Sequence, residues 1–406
     1  MSTRSGRAWA AAALGASLLV PASNALALLG DRLEIFASEQ ITYDSNPFRL
    51  SRGVNNFVAL GNTNRSDVIF TTSGGFNLNI PVSRQRFVAG LTLSDVRYNR
   101  FSDLNHTGRD GRAVWLWEVG NQLSGQVGVT DNRSIVSFIN FTTRSRDLVT
   151  TQTAFANVSY LVNPSWRLRA GVDGLKQEHS VAANQAQDVE VGGAEGSITY
   201  ISRAGNSIGL LVRNDEGRFP NRQVVAGTTF DNRYTQRAAY AVLDWSITPR
   251  SRLSGRLGAL KRDYDTVTAR NFSGGVWRAV YDWTPGGKLS IAAIAQRDIL
   301  IFEDIRTSFV LAKSVALRPE YRYSEKLLLA ATLDYSVRDY MGDPAAASGL
   351  ATAREDRIRS GAITATWQAA RNIQVVGSLA HERRRSNIQF GDYEDTILSI
   401  RGRIGF

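Results

Sequence analysis

The chain has 406 residues, a net charge of +11 and no cysteine, which excludes disulfide frameworks, thiolate catalysis and cysteine metal sites. Length alone allows two or three soluble domains. The slightly polar composition, 43% hydrophobic and 21% charged, argues against a bundle of membrane helices. It permits a membrane β-barrel, half of whose side chains meet water.

In chain order, the first element is an export signal over residues 1–27. Arg4 and Arg7 form its basic head, Trp9 to Val20 its apolar core, and Ala25-Leu26-Ala27 its cleavage site before Leu28. That core is shorter than the ~20 residues a spanning helix needs, and no later apolar run reaches that length. The mature chain, 28–406, loses two cations with the signal and no acid, so it stays basic.

From about Leu33 onward, side chains alternate with period two. Val68, Phe70, Gly74, Phe76, Leu78 and Ile80 form one file, against Thr71, Ser73, Asn77 and Asn79. Later files are Ala113-Trp115-Trp117-Val119, Ala239-Ala241-Leu243-Trp245-Ile247, Trp277-Ala279-Tyr281-Trp283 and Leu327 to Val337. In the last stretch Leu398, Ile400, Gly402, Ile404 and Phe406 share one side, with Ser399, Arg401 and Arg403 on the other. This is the signature of strands with one apolar face. The stretch Leu289 to Gln296 is apolar on both faces and has no readable orientation.

Tight-turn chemistry falls at 81–84, 120–122, 163–165, 203–206, 248–251, 285–288, 323–326 and 369–372, about 40 residues apart. Longer polar connections lie near 45–66, 101–111, 136–150, 179–188, 219–231, 264–270, 299–306, 340–355 and 386–394. Eight short turns and nine long loops join eighteen strands. The expected fold is therefore an all-β transmembrane antiparallel barrel of about 18 strands, with short periplasmic turns and longer extracellular loops. A β-propeller shares the period, but its blades need a turn about every ten residues, and Val68–Ile80 contains none. Tyr160, Trp166, Tyr200, Trp245, Trp283, Trp367 and Phe406 all lie near a short turn or the C-terminus, as the aromatic girdle of one interface requires.

Eighteen strands at ~4.8 Å spacing and ~40° tilt enclose a backbone cylinder roughly 35 Å across, wide enough for an aqueous lumen. The 45–66 connection, with 340–355 as a second candidate, is long enough to fold inward and narrow it. Arg278, Arg338, Arg401 and Arg403 fall on the water-facing side, with Asp282 and Asp334 as candidate partners. They either attract anionic solutes or solvate and pair along the wall. The run Arg383-Arg384-Arg385 could meet anionic lipopolysaccharide or be a solvated loop. No metal-ligand spacing, phosphate loop or cofactor motif is present, and an exported chain without a compact basic domain is not expected to bind nucleic acid. His106 and His179 fall in polar connections and are expected to be solvated, and His381 at the rim. A Ser399–His381 pair on adjacent strands would be needed for lipid hydrolysis.

The passage Thr42-Tyr43-Asp44-Ser45-Asn46-Pro47-Phe48-Arg49-Leu50 resembles the opening motif of a family of outer-membrane β-barrel porins. Within that family it is most similar to the EpsL-type proteins of exosortase-associated exopolysaccharide gene clusters. The resemblance implies an outer-membrane barrel with a part in exopolysaccharide export. The expected partners are outer-membrane lipid and lipopolysaccharide, the polymer and periplasmic export proteins, and with such weak catalytic signals no enzymatic activity is expected. By their own chemistry, Asp44 and Asn46 suit a cation or sugar hydroxyls, or the start of a turn in which Pro47 fixes the next φ; the turn is expected. Alternatives to polymer export are a general solute porin, an outer-membrane lipid-modifying enzyme and a wall-spanning scaffold.

Overall fold

The computed structural model describes residues 32–139, 144–221, 223–225, 228–266, 268–300, 309–341 and 352–406. The expected export signal, 1–27, lies outside them. Twenty strands follow in order: β1 Leu33–Asp44, β2 Asp67–Val82, β3 Gln85–Tyr98, β4 His106–Val119, β5 Leu123–Ile135, β6 Leu148–Asn163 and β7 Trp166–His179. Next come β8 Val189–Ile201, β9 Ser207–Arg218, β10 Gln223–Val225, β11 Thr228–Phe230, β12 Tyr234–Thr248, β13 Ser251–Tyr264 and β14 Phe272–Gly286. The series ends with β15 Leu289–Leu300, β16 Phe309–Arg322, β17 Leu327–Met341, β18 Glu355–Ala370, β19 Ile373–Ser386 and β20 Tyr393–Gly405. Among the described residues no helix is long and apolar enough to cross a membrane.

Eighteen of these strands pair antiparallel with their neighbours in sequence order, and β1 pairs with β20, so the sheet closes. β10 and β11 form a separate two-stranded hairpin inside the β9–β12 connection, which the sequence had placed wholly in a loop. The eight short turns fall where their Pro, Gly, Asn and Ser residues placed them. Ser83, Gly120 and Gly205 have positive φ there. Four of the hairpins shift register just before the turn, at Leu161/Asn163, Ser246/Thr248, Trp283/Gly286 and Gln368/Ala370. Such bulges add local twist at a rim.

Register carries one set of side chains around the whole ring. Exposed apolar residues such as Trp115, Val129, Leu168, Leu210, Leu257, Leu333, Ile363 and Leu398 all belong to that set. A closed wall shelters only its concave side, so this set is the outer face. The ring also settles the segment that periodicity could not orient. Ile291 pairs with Trp283 and Ala293 with Tyr281, which places the odd-numbered residues of β15 outward.

Inward tyrosine rings pack against a glycine of the adjacent strand. Tyr240 is opposite Gly258 and Tyr234 opposite Gly217. A Cβ at Gly258 would stand 1.9 Å from the Ala239 carbonyl oxygen and 2.8 Å from the Tyr240 ring. The missing side chain lets the ring cover the backbone instead of projecting into the lumen. Gly258→Ala should therefore lower barrel stability by about 1–3 kcal/mol, measured by urea unfolding of the refolded protein in lipid vesicles. Gly402→Ala, where a Cβ meets nothing within 4 Å, should leave the midpoint unchanged.

Candidate pore and its roof

The motif after β1 forms a tight polar knot beside the seam between β1 and β20. Asp44 accepts a hydrogen bond from the Asn46 amide at 2.8 Å. The Asn46 side chain donates to the Leu50 and Glu394 carbonyls and accepts from the Leu50 amide. Arg49, at φ +55, forms ion pairs with Asp44 at 3.2 Å and Asp395 at 3.0 Å. Asp44 and Asn46 thus start a turn and anchor it across the closure. Tyr43 is an exposed residue of the outer face.

The knot aims Phe48 inward. It is fully buried, edge-on to Phe101 at 4.8 Å and to Phe138 at 4.9 Å. Around it pack Leu50, Leu60, Leu104, Val136 and two inward wall residues, Tyr98 and Val149. Leu60 is delivered by a short helix, Asn56–Leu60, capped by the Asn55 side chain and ended by Gly61 at φ +66. Arg144 clamps the roof by donating to the Leu60 carbonyl and to Asp103. The hydrogen bond from Arg144 holds the Asp103 carboxyl below the usual carboxylate range. This tie is complete above that range and is lost as pH falls through the depressed value.

The 45–66 connection therefore turns inward, and two further loops join it. The roof then reaches across the mouth. Arg384, on the inward face of β19, donates to the Ile139 carbonyl at 2.6 Å. Ile139 belongs to the β5–β6 loop, so β20 and β1 to β4 lie between the two attachment points. Arg384 is 3% exposed, lies 4.4 Å from the Tyr393 ring centroid and also donates to the Gly391 carbonyl. Of the arginine run, only Arg383 and Arg385 are exposed. The second candidate for constriction, 340–355, falls largely outside the described residues.

The inner wall carries both cations and carboxylates, and Arg256 is paired with Asp298 there. From β13 to β20 it carries Arg256, Arg278, Arg318, Arg338, Arg401 and Arg403. Arg278 donates to Gln296, and Arg403 donates to Glu34 at 2.6 Å beneath the Phe36 ring. Asp282 and Asp334 share the inward files of Arg278 and Arg338. The six charges singled out from sequence stand on β14, β17 and β20, so they line one half of the wall without forming a cluster. The facing half carries Asp173, Glu195 and Asp215, gathered on Arg213 at 2.8, 3.4 and 2.7 Å. Sequence reasoning missed this hub, because its four members lie on three strands and meet only through register.

Tyr160, Trp166, Tyr200, Trp245, Trp283, Trp367 and Phe406 are all exposed toward the short-turn end, with Trp166 and Tyr200 in edge contact at 5.4 Å. Phe87 and Trp115, stacked at 6.0 Å, are further exposed rings on the outer face. Two of the three histidines, His106 and His179, depart from the expectation that they are solvated. His179 is buried, and its amide and Nδ1 both meet Asp188, which pins the β7–β8 loop. His106 opens β4, half-buried, with Nδ1 2.8 Å from the Leu104 carbonyl. His381 faces outward beside Thr396 at 3.0 Å, whereas Ser399 contacts Ser378 at 2.7 Å. Register places Ser399 and His381 on opposite faces of the wall, so they form no catalytic pair. Among the described residues no cluster could hold a metal ion.

Residues 253–404 match the family described as "Putative beta-barrel porin 2". No curated protein matches the chain. Among solved structures, it is similar to OccK9 (OpdG) of Pseudomonas aeruginosa, with TM-score 0.52, 10% identity and coverage of 94% of this chain and 100% of that one. The outer membrane protein OpdK of the same organism gives 0.51, 11%, 92% and 99%. OccK2 (OpdF) of P. aeruginosa in complex with glucuronate gives 0.51, 10%, 94% and 100%. At such identities the likeness is one of fold: a closed eighteen-stranded barrel of the outer-membrane porin type.

Deleting residues 52–62 should raise single-channel conductance in planar bilayers. Arg384→Gln should leave the barrel folded but increase current noise, because the roof loses its far attachment. Phe48→Ala should loosen the roof by about 3–5 kcal/mol, read as faster hydrogen exchange confined to 45–66, 99–105, 136–139 and 144–147.

Proposed function

We propose that this chain is an outer-membrane channel that takes part in exporting an extracellular polysaccharide. Its short turns would face the periplasm, its long loops the cell exterior, and residues 1–27 would be the export signal. The observation that carries the channel reading is the closed wall itself, apolar outside and polar within. Such a wall suits hydrocarbon on one side and a hydrated passage on the other. No bond is made or broken; the lumen conducts a chain or lets solutes diffuse.

The polysaccharide reading rests on the Tyr43–Arg49 motif and on the lining. Arg278, Arg338 and Arg401 present guanidinium donors toward the passage, and the carboxylates around Arg213 face them. A field across the lumen would orient a hydroxyl-rich or uronic-acid chain without a deep binding site. Periplasmic export proteins are the expected partners at the short-turn rim. The roof, buried around Phe48, suits partial occlusion when no polymer passes.

A general solute porin is the second reading, favoured by the similarity to OpdK-type barrels and by the narrowed mouth. A deletion strain separates the two. Loss of surface polymer with normal small-solute uptake supports export, whereas normal surface polymer ends that reading. Replacing Arg278, Arg338 and Arg401 together by Gln should lower the anion-to-cation permeability ratio roughly two- to fivefold, read from reversal potentials in a salt gradient.

A further inference from the structure

The outer face of β18 and β19 carries an arrangement that the channel does not use. Arg357 stands directly opposite Arg385, and Arg359 directly opposite Arg383. In a sheet, directly opposed residues have Cβ atoms ~4.5–5.5 Å apart, and like charges there are destabilising. Two successive like-charged pairs thus place four guanidiniums on one patch of outward wall. Two carboxylates reach it. Glu355 meets Arg357 at 2.8 Å, and Glu394 meets Arg383 at 3.0 Å while also bonding Arg52. Arg359 and Arg385 have no carboxylate partner among the described residues. Arg359 rests 5.7 Å from the Tyr335 ring centroid.

Other like-charged pairs on the outer face are single and neutralised nearby. Arg109, opposite Arg133, is held by Asp131 at 2.8 Å. Lys261, opposite Arg237, is held by Asp263 at 2.9 Å. Lys313, opposite Arg297, meets Asp339 at 3.1 Å. Among the described residues the β18–β19 quartet alone keeps two successive like-charged pairs with an excess of positive charge.

Depth identifies what would neutralise it. Below the quartet the outer file continues through Ile363 and Leu379 to Trp367, all exposed. From Arg359 to Trp367 the strand descends ~20 Å at ~3.3 Å per residue and ~40° tilt. With Trp367 at one edge of an apolar band ~25 Å tall, the quartet stands at the other. Headgroup phosphates lie at that level. Arginine pairs phosphate in bidentate fashion, and a phosphate between opposed guanidiniums converts repulsion into charge-assisted hydrogen bonds.

We infer that the outer wall of β18 and β19 binds the phosphorylated headgroup of a glycolipid in the leaflet at the long-loop end. The chemistry fits a bis-phosphorylated, acylated disaccharide of the lipid A kind. Its phosphates would sit among Arg357, Arg359, Arg383 and Arg385, and its acyl chains would run down past Ile363, Leu379 and Leu398. This rests on the barrel lying in an outer membrane, and the test separates the two.

The purified barrel in detergent is titrated with lipid A and with its dephosphorylated form, with binding followed by native mass spectrometry. Wild type should prefer the phosphorylated lipid by at least about tenfold. Arg359→Gln with Arg385→Gln should weaken that binding roughly ten- to thirtyfold, whereas Arg237→Gln with Lys261→Gln should not. Equal binding of both lipids by wild type, or unaltered binding by the β18–β19 double variant, overturns the site and leaves the channel reading intact. If the double variant fails to fold, the two-lipid comparison on wild type decides alone. Recovery of the wild-type chain as a soluble monomer without detergent overturns both.

Discussion

Every backbone amide and carbonyl in a wall that faces hydrocarbon needs a partner within the wall, since an unpaired group there costs several kcal/mol. Here the constraint is met by the pairing of β1 with β20, from Phe36 opposite Gly405 to Asp44 opposite Ile397. The Phe406 amide donates to the Ile35 carbonyl at 2.8 Å, so the ladder runs to the last residue. Side chains reinforce both ends of the seam. Arg403 donates to Glu34 at the short-turn end, and Arg49 joins Asp44 to Asp395 at the other. The first and last strands of the ring are thereby tied by a backbone ladder and by side-chain pairs at both of its ends.

The same seam positions the roof. Because Asp44, Asn46 and Arg49 spend their polar groups on the turn and on Asp395 and Glu394, the following residue set is free to be apolar, and Phe48 enters the mouth. One buried aromatic trio then organises three loops that are far apart in sequence. Arg144 and Arg384 fix the result from opposite directions. Burying Arg384 is tolerated because two carbonyls, an aromatic face and Asp356 at 3.7 Å surround its guanidinium.

Charge is distributed differently on the two faces of the wall. Inside, charges gather in clusters that span several strands: three carboxylates meet on Arg213, Asp298 meets Arg256 and Glu34 meets Arg403, while Asp282 and Asp334 share the inward files of Arg278 and Arg338. Outside, opposite charges mostly neutralise one another between neighbouring strands, as Lys176 opposite Glu190 and Glu190 opposite Arg218 do. β18 and β19 depart from that pattern. In both places the register of the ring, not the local sequence, decides which charges meet.

Period-two alternation and turn chemistry determined the fold class and the number of barrel strands. The positions of all eight short turns followed as well, because strand geometry and tight turns are set by residues within reach of one another along the chain. Those same signals placed Trp367, Trp245 and Phe406 at one end. Contacts made by folding were out of reach: the Arg213 hub, the bond from Arg384 to Ile139 and the burial of His179 against Asp188. So were the internal hairpin β10–β11 and the separation of Ser399 from His381 onto opposite faces. For the contacts of the wall, the reason is that strand register decides which residue stands beside which; for His179 and for the separate β10–β11 hairpin, it is how a single loop packs on itself. Only the tertiary structure contains either.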